Sequence, residues 1–265
     1  MRVLFLGDIV GRPGREAVAG EMRRLREELA LDVALANGEN ASGGLGLKPD
    51  EARRLLDSGL DVLTSGNHIW KYREIQDYMP RTTRLLRPAN YPQGAPGSGL
   101  GVYSAGGGVS YAVLNLQGRT YMEALECPFR TADALLAQVP EDVRVILVDF
   151  HAEATSEKIA MAYHLAGRVS AVLGTHTHVQ TSDARILRDA HGQGHTAALT
   201  DLGMCGPEES ILGMEAAPIL SRFLTGMPTR FRVAGGAVLL EGALLRIDEN
   251  TGRAQSIETF RRRFI

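Results

Sequence analysis

The stretch RVLFLGD, residues 2–8, decides the fold because it is an apolar run of strand length at the start of the chain. The stretch REAVAGEMRRLREELA follows at residues 15–30. Its apolar residues Val18, Met22 and Leu25 recur at spacings of three and four, which is the pattern of a helix with one buried face. A strand followed by an amphipathic helix is the repeating unit of α/β proteins, so we expect that fold class here.

The same unit recurs in both halves of the chain. Apolar stretches of strand length alternate with helix-period stretches, as is typical of a mostly parallel sheet covered by helices on both faces. The further stretches are DVALANGEN (32–40), PDEARRLLDSG (49–59), DVLTSGNH (61–68), KYREIQDYM (71–79), VRVILVDFHAE (143–153), SEKIAMAYHLAGR (156–168) and VSAVLGTHTH (169–178).

Two other segments interrupt or end this alternation. Residues 91–119 are rich in glycine and proline, which indicates a loop leading into a hairpin, with a flap at 94–108. Residues 208–265 are expected to form a helix, over the stretch 209–226, and then a hairpin around a turn at 248–252. Neither segment reads as a linker, so we expect a single domain over residues 1–265.

The composition is that of an ordinary globular protein. With 265 residues, 44% of them hydrophobic, the chain can bury a sizeable core. A formal net charge of -2 and a pI of about 6.4 argue against strong nucleic-acid binding but leave a small nucleotide open. No segment has the length of a membrane span. Cys127 and Cys205 lack disulfide or metal-ligand spacing, which favours a reducing, cytoplasmic location.

Polar side chains follow one apolar run after another. In an open α/β sheet, ligands bind beyond the carboxyl ends of the strands, so these positions indicate the functional site. Oxygen and nitrogen donors of this kind bind Mn, Fe(II), Zn or Mg, and a carboxylate can bridge two such cations. The residues concerned are Asp8, Glu39, Asn40, Asn67, His68, His151, His176 and His178. Each alone could be a cap, a turn residue or a packed histidine, but five coinciding strand ends predict a metal site.

The histidines divide into two groups. If the run 169–178 is a strand throughout, His176 and His178 point to one face, because side chains two apart share a face of a sheet. By contrast, His164 falls within a helical stretch, and His191 and His195 fall within a glycine-rich turn. These last three are expected to be packing or surface residues and are excluded from the site.

In this order, the strand-end motifs resemble the signature of the calcineurin-like metallophosphoesterases. The motifs are GD (7–8), GEN (38–40), GNH (66–68), DFHAE (149–153) and GTHTH (174–178). More narrowly, LGDIVGRPGR, NGENASGG and TSGNHIW are similar to the bacterial YmdB-type branch, which contains 2',3'-cyclic-nucleotide 2'-phosphodiesterases. The resemblance implies an α/β fold with a four-layer α/β/β/α sandwich of mixed sheets.

The resemblance also implies a role for each of the strand-end residues. Glu39 would bridge two metal ions, with Asp8, Asn40 and His178 at one ion and Asn67, His151 and His176 at the other. The superfamily usually has Asp-x-His in its first motif and a bridging Asp, whereas here Ile9 and Val10 follow Asp8 and the bridge is a Glu. The branch is associated with iron, and manganese is an alternative on ligand grounds.

Two such cations can share a water or hydroxide, lower its pKa and hold a phosphate for in-line attack. The resemblance makes His68 the general acid that protonates the leaving oxygen, which suits an imidazole near neutral pH. The sequence contains no G-x-S-x-G motif, so a covalent serine route is the weaker hypothesis.

The resemblance implies that the substrate is a small phosphoester, namely a cyclic nucleotide. The implied reaction converts 2',3'-cyclic nucleotides to 3'-nucleotides. The residues do not decide between 2',3'- and 3',5'-cyclic forms. Two alternatives remain. The protein could be a broad phosphomonoesterase or nuclease, or a regulatory nucleotide-binding protein that keeps the metal centre.

Trp70, Tyr72 and Tyr103 are candidates for stacking on a base, with core or surface packing as the alternative. A homo-oligomer could form through Met214, Ile219, Leu220, Phe223 and Leu224, although burial in the chain's own core is the default.

Overall fold

The computed structural model describes residues 1–189, 192 and 195–264. Within these ranges, strands and helices alternate along most of the chain. The elements are β1 (Arg2–Ile9), α1 (Gly11–Glu28), β2 (Val33–Asn37), α2 (Pro49–Asp57), β3 (Val62–Thr64), α3 (Glu74–Tyr78), β4 (Leu100–Ser104), β5 (Ser110–Gln117), α4 (Pro128–Leu136), β6 (Val145–His151), α5 (Thr155–His164), β7 (Ala171–Thr175), β8 (Arg185–Arg188), β9 (His195–Leu199), β10 (Met204–Pro207), α6 (Ala216–Thr225), β11 (Val238–Ile247) and β12 (Ala254–Phe264).

The strands form two mixed sheets, each six-stranded. The first has the order β12-β11-β10-β1-β2-β3, and the second has the order β4-β5-β6-β7-β9-β8. Parallel pairs include β1 with β2 and β6 with β7 at the centre and β2 with β3 at one edge. The other edge pairs, β11–β12, β4–β5 and β8–β9, are antiparallel. Parallel pairing places the carboxyl ends of successive strands at one edge of each sheet.

Three apolar cores separate the layers. On β1, Leu4 faces α1 and α2, whereas its neighbour Phe5 faces the second sheet, because successive strand residues point to opposite faces. Phe5 packs in one cluster with Leu147 of β6, and this cluster fills the space between the sheets. On the outer face of the second sheet, Val148 packs in one cluster with Met161 of α5. The order helix, sheet, sheet, helix confirms the predicted four-layer α/β/β/α sandwich.

Some predicted helices are shorter than the sequence pattern suggested. The stretch 71–79 holds only the five residues of α3, preceded by a 3-10 turn at Ile69–Lys71. The stretch 209–226 becomes helical only at Ala216, because Leu212 and Gly213 have φ angles of 53° and 90°. These left-handed conformations end any helix, so the segment before α6 is instead a tight turn.

The predicted hairpins are present. Strands β11 and β12 pair in antiparallel register on either side of the turn at 248–252. Strand β4, within the proposed flap 94–108, pairs with β5 from Leu100 opposite Leu114 to Ser104 opposite Ser110. The turn of this hairpin therefore lies at the beginning of β5, which is the end of the sheet opposite to His151 at the end of β6.

Most of the large apolar side chains of helix α6 are exposed. Ile219 is 7% exposed, whereas Phe223 and Leu224 are 82% and 84% exposed. The sequence predicted that this helix is buried in the chain's own core. That prediction holds for Ile219 but is wrong for Phe223, Leu224 and Leu220.

Cys127 and Cys205 are free thiols. No helix in the described part of the chain is long and apolar enough to cross a membrane.

A buried ion pair joins α5 to the loop that follows β9. The Lys158 ammonium donates to Asp201 Oδ2 at 2.7 Å, and both side chains are almost wholly buried. Replacing Lys158 by Met leaves a buried carboxylate without its cation, and we expect a loss of about 3 kcal/mol in the free energy of unfolding, measured by urea denaturation with metal present in excess. As a matched control, Arg12→Met removes an exposed partner of Glu16 and should leave the urea midpoint unchanged.

Candidate active site

The polar residues that follow the apolar runs lie together in the structure. Asp8 is near the end of β1, and residues 39–40 and 67–68 follow β2 and β3 of the first sheet. From the second sheet, His151 is the last residue of β6, and residues 176–178 follow β7. The two sheets thus bring their carboxyl ends to one cluster, as expected for ligand sites in α/β folds.

Glu39 is at the centre of the cluster. Its side chain is fully buried, and Oε1 lies 3.1 Å from His151 Nε2 and 3.2 Å from His68 Nδ1. Its second oxygen accepts a hydrogen bond of 2.9 Å from the backbone N–H of His68. The carboxylate therefore contacts residues from both sheets.

One half of the cluster surrounds His151. Its Nε2 lies 3.0 Å from Asn67 Oδ1 and 3.1 Å from His176 Nδ1. Glu39, His151 and His176 each offer a ligand atom, and these atoms lie within 4.8 Å of one another. Such a separation suits ligands that share a single cation.

The other half contains Asp8, Asn40 and His178. His178 Nε2 lies 3.2 Å from Asn40 Nδ2 and 3.7 Å from Asp8 Oδ1. Asp8 is fully buried, and its Oδ1 has no hydrogen-bond partner within the described ranges. A buried carboxylate oxygen without a donor is costly, so this atom fits a role as a ligand of a cation.

The conformation of the histidine pair differs from a continuous strand. Strand β7 ends at Thr175, and His176 and His178 have φ angles of 97° and 62°. The condition for both rings to share one strand face, a strand that continues through 178, is therefore not met. The backbone N–H of His176 donates to Asp8 Oδ2 at 3.1 Å, which ties this loop to β1. As a result, His176 faces His151 whereas His178 faces Asp8.

A buried hydrogen-bond network that the sequence did not predict lies behind His151. His151 Nδ1 lies 2.9 Å from Thr175 Oγ1, whose hydroxyl donates to Asp149 Oδ1 at 2.7 Å. Asn37 donates to Asp149 Oδ2 at 3.1 Å and accepts the backbone N–H of Glu39 at 3.1 Å. Since Thr175 Oγ1 donates to Asp149, it accepts from His151 Nδ1, so Nε2 is the ring nitrogen that could bind a metal in exchange for its own proton. Asp149 stands two residues before His151, and Asn37 two residues before Glu39, a spacing from predicted site residues that could have revealed both.

The sequence also did not predict a role for Asp201, which holds the loop at 176–178 through hydrogen bonds to Thr177. Its Oδ2 accepts the backbone N–H of Thr177 at 3.1 Å and the Thr177 hydroxyl at 2.7 Å, besides the Lys158 ammonium. Its Oδ1 accepts the backbone N–H of Gly203 at 2.8 Å. An aspartate in a buried loop between two apolar stretches gives no stronger signal than a turn, so its role depends on the tertiary structure.

The electrostatics of the cluster favour a bound cation. Burial would raise the pKa values of Asp8 and Glu39, but the neighbouring histidines outweigh it and both are lowered. Burial would likewise lower the pKa of His151, but Glu39 and then Asp8 raise it to about 9. Burial and the charge of His151 lower the pKa of His176 to about 3, so its ring is neutral. The carboxylates thus remain ionised and attract positive charge.

The residues present fit metal ions. The donors are carboxylate, amide and imidazole atoms, which suit iron or manganese. A Cβ at Gly66 would overlap the ring of His151 and the carboxylate of Glu39, so only glycine permits this close packing. Together with the unpartnered oxygen of Asp8, the donor set could hold two cations.

The three excluded histidines do not join the cluster where they are described. His164 Nε2 lies 3.0 Å from Asp133 Oδ1 at the surface. His195 begins β9, at the end of the sheet away from His151. His191 lies outside the described residues.

The two mixed sheets between helical layers, with this donor cluster at their carboxyl ends, define a calcineurin-like metallophosphoesterase. More narrowly, the chain belongs to the YmdB-like protein family, whose model matches residues 4–260. It is 46% identical to the 2',3'-cyclic-nucleotide 2'-phosphodiesterase of Bacillus subtilis (strain 168) over 258 residues, which cover 97% of this chain and 96% of that protein.

Two solved structures share the whole fold. A crystal structure of a hypothetical protein from Thermus thermophilus is 41% identical, with a TM-score of 0.91 and 99% of each chain covered. A crystal structure of a novel phosphatase from Mycoplasma pneumoniae is 29% identical, with a TM-score of 0.91, covering 99% of this chain and 93% of that one. The fold and the phosphoesterase class of the chain therefore rest on both sequence and structure.

The network behind His151 gives a testable expectation. Thr175→Val keeps the shape of the side chain but removes the hydroxyl between His151 and Asp149. We expect metal affinity to fall by about 10- to 100-fold, measured by competition with a chelator, because outer partners orient the ligand ring. Thr175→Ser keeps the hydroxyl and should bind metal like the unmodified protein. Equal losses in both variants would show that packing, and not the hydrogen bond, sets the affinity.

Proposed function

We propose that the protein hydrolyses 2',3'-cyclic nucleotides to 3'-nucleotides with two bound metal ions. The observation that carries the proposal is the convergence of donor side chains from both sheets on Glu39, in a chain similar to a phosphodiesterase of that specificity. The formal net charge of -2 supports a small substrate over a nucleic acid.

The metal ligands follow from the two halves of the cluster. Asp8, Asn40 and His178 would hold one ion, and Asn67, His151 and His176 the other, with Glu39 shared by both. When bound, iron or manganese ions would lower the pKa of a water molecule and neutralise the phosphate oxygens. The buried carboxylates and the Thr175 hydroxyl would keep the ligand atoms oriented.

His68 is placed to act as the general acid. Its side chain is 35% exposed and lines the cavity beside the cluster. Nδ1 lies 2.9 Å from Asn40 Oδ1, and an amide oxygen can only accept, so Nδ1 carries a proton. Nε2 is then the ring nitrogen left for the substrate. As hydroxide, formed when the water loses a proton to solvent, attacks phosphorus and the bond from phosphorus to O2' breaks, a ring protonated on both nitrogens would give its Nε2 proton to O2'. This yields the 3'-phosphate and a neutral imidazole.

A substrate panel tests this proposal. Protein loaded with iron or manganese is incubated with 2',3'-cyclic AMP, 3'-AMP and single-stranded RNA, and the products are separated by chromatography. We expect rapid conversion of the cyclic nucleotide and slow reaction of the other two. Rapid cleavage of RNA or release of phosphate from 3'-AMP would favour a nuclease or a phosphomonoesterase. Binding of the cyclic nucleotide without turnover would favour a regulatory nucleotide-binding protein.

A further inference from the structure

The cavity beside the donor cluster has two unlike walls. Its volume is about 780 Å³, within the usual range of small-molecule sites. One wall carries His68, His176 and His178. A second group of lining residues, here called the apolar wall, consists of Leu212, Met214, Ile219, Phe223 and Phe231. A phosphate held at the histidines would leave the rest of its molecule against the apolar wall.

The apolar wall is fixed to the donor cluster. His178 Nδ1 lies 3.3 Å from the carbonyl oxygen of Leu212, to which it donates a hydrogen bond. Met214 forms β-bridges with both Ile211 and Val233, which join the turn before α6 to the segment after it. The wall therefore has a defined position relative to the histidines of the donor cluster.

The wall also offers flat surfaces to the cavity. Phe223, on α6, is 82% exposed, which is unusual for a phenylalanine. The guanidinium carbon of Arg222 lies 5.5 Å from the centre of the Phe231 ring. Arg222 makes no ion pair with any other residue that the structure describes. Aromatic rings and guanidinium planes are the groups on which nucleobases stack.

We propose that the apolar wall binds the base of the nucleotide substrate, with Phe223 and Phe231 as the aromatic contacts and Arg222 as a stacking cation. This inference rests on the proposed function. Phe223 and Phe231 thereby take the base-stacking role for which the sequence suggested Trp70, Tyr72 and Tyr103. Trp70 packs edge-on against Tyr91, Tyr72 donates to the carbonyl oxygen of Ser42, and Tyr103 donates to that of Thr83. None of the three sequence candidates lines this cavity.

Calorimetry on the metal-loaded protein tests the base site without turnover. The ligands are 3'-AMP and ribose 3-phosphate, which differ only in the base. We expect 3'-AMP to bind about tenfold or more tightly to the unmodified protein, because a stacked base contributes to affinity. Phe223→Ala should remove most of this preference and leave the affinity for ribose 3-phosphate unchanged. Leu224→Ala is the matched control, since Leu224 is 84% exposed on the same helix but does not line the cavity.

Three other results of the calorimetry would each lead to a different conclusion. Equal affinity of the unmodified protein for the two ligands would overturn the base site. Equal effects of Phe223→Ala and Leu224→Ala, together with a change of mass in sedimentation, would also overturn it and show that the wall is a contact between copies of the chain. A retained preference for 3'-AMP in a protein that turns over no cyclic nucleotide would overturn the proposed reaction and support the base site.

Discussion

Replacing Glu39 by Gln is expected to remove at least one metal ion and to lower turnover by roughly a thousandfold. Glu39 is the buried carboxylate that contacts residues of both sheets, through His151 and His68. An amide has one acceptor oxygen and no charge, so it cannot serve two cations. Losing several kcal/mol of transition-state stabilisation corresponds to roughly a thousandfold lower kcat. Elemental analysis and rates on 2',3'-cyclic AMP would measure both effects.

The matched control for this substitution is Glu153→Gln. The carboxylate of Glu153 also contacts a histidine of the cluster, His176, at 3.1 Å, but its side chain is 48% exposed. It is not among the proposed ligands, so the variant should keep two equivalents of metal. A Glu39→Gln protein with full metal content and an unchanged rate would contradict the bridging role.

Replacing His68 by Gln should separate metal binding from proton transfer. His68 is not a proposed ligand, so the metal content should stay at two equivalents. Loss of a general acid lowers kcat by about 10²- to 10⁴-fold when the leaving group is an alkoxide, such as O2' of the nucleotide. A 4-nitrophenyl phosphodiester has a leaving group that needs no proton, and its hydrolysis should change little.

The dependence on leaving group is the result that distinguishes an acid from a structural histidine. If His68→Gln slows both substrates equally, the ring positions the phosphate or the metals instead. His164→Gln serves as the control because His164 pairs with Asp133 at the surface, and this variant should match the unmodified protein on both substrates.

Much of the fold and of the cluster could be predicted because the signals are local. Strands β1 and β6 are mostly apolar runs, and each has a polar residue at or near its carboxyl end, Asp8 in β1 and His151 in β6. Parallel strands bring such residues to one edge whatever the details of packing. The amphipathic period of α1 likewise follows from nearby residues, and its Val18, Met22 and Leu25 are buried as the spacing predicts.

The remainder depends on contacts between distant parts of the chain. The spacing of Asp149 points to His151, but its hydrogen bond from Asn37 of the other sheet is a long-range contact that no local pattern encodes. The left-handed backbone of His176 follows from its contact with Asp8, which no local pattern encodes. The stretch before α6 has helical periodicity, yet Leu212 adopts a left-handed turn that places its carbonyl oxygen against His178. Tertiary hydrogen bonds override local propensity at these positions.

Under the proposed function, metal bound at Glu39 enables hydrolysis of a 2',3'-cyclic phosphodiester. Phosphorus NMR of 2',3'-cyclic AMP, with the metal-free protein and then with iron or manganese added stepwise, is the decisive experiment. We expect no reaction without metal, 3'-AMP as the single product with metal, and a rate that saturates at two equivalents. Formation of 2'-AMP, or equal rates with and without metal, would contradict the claim.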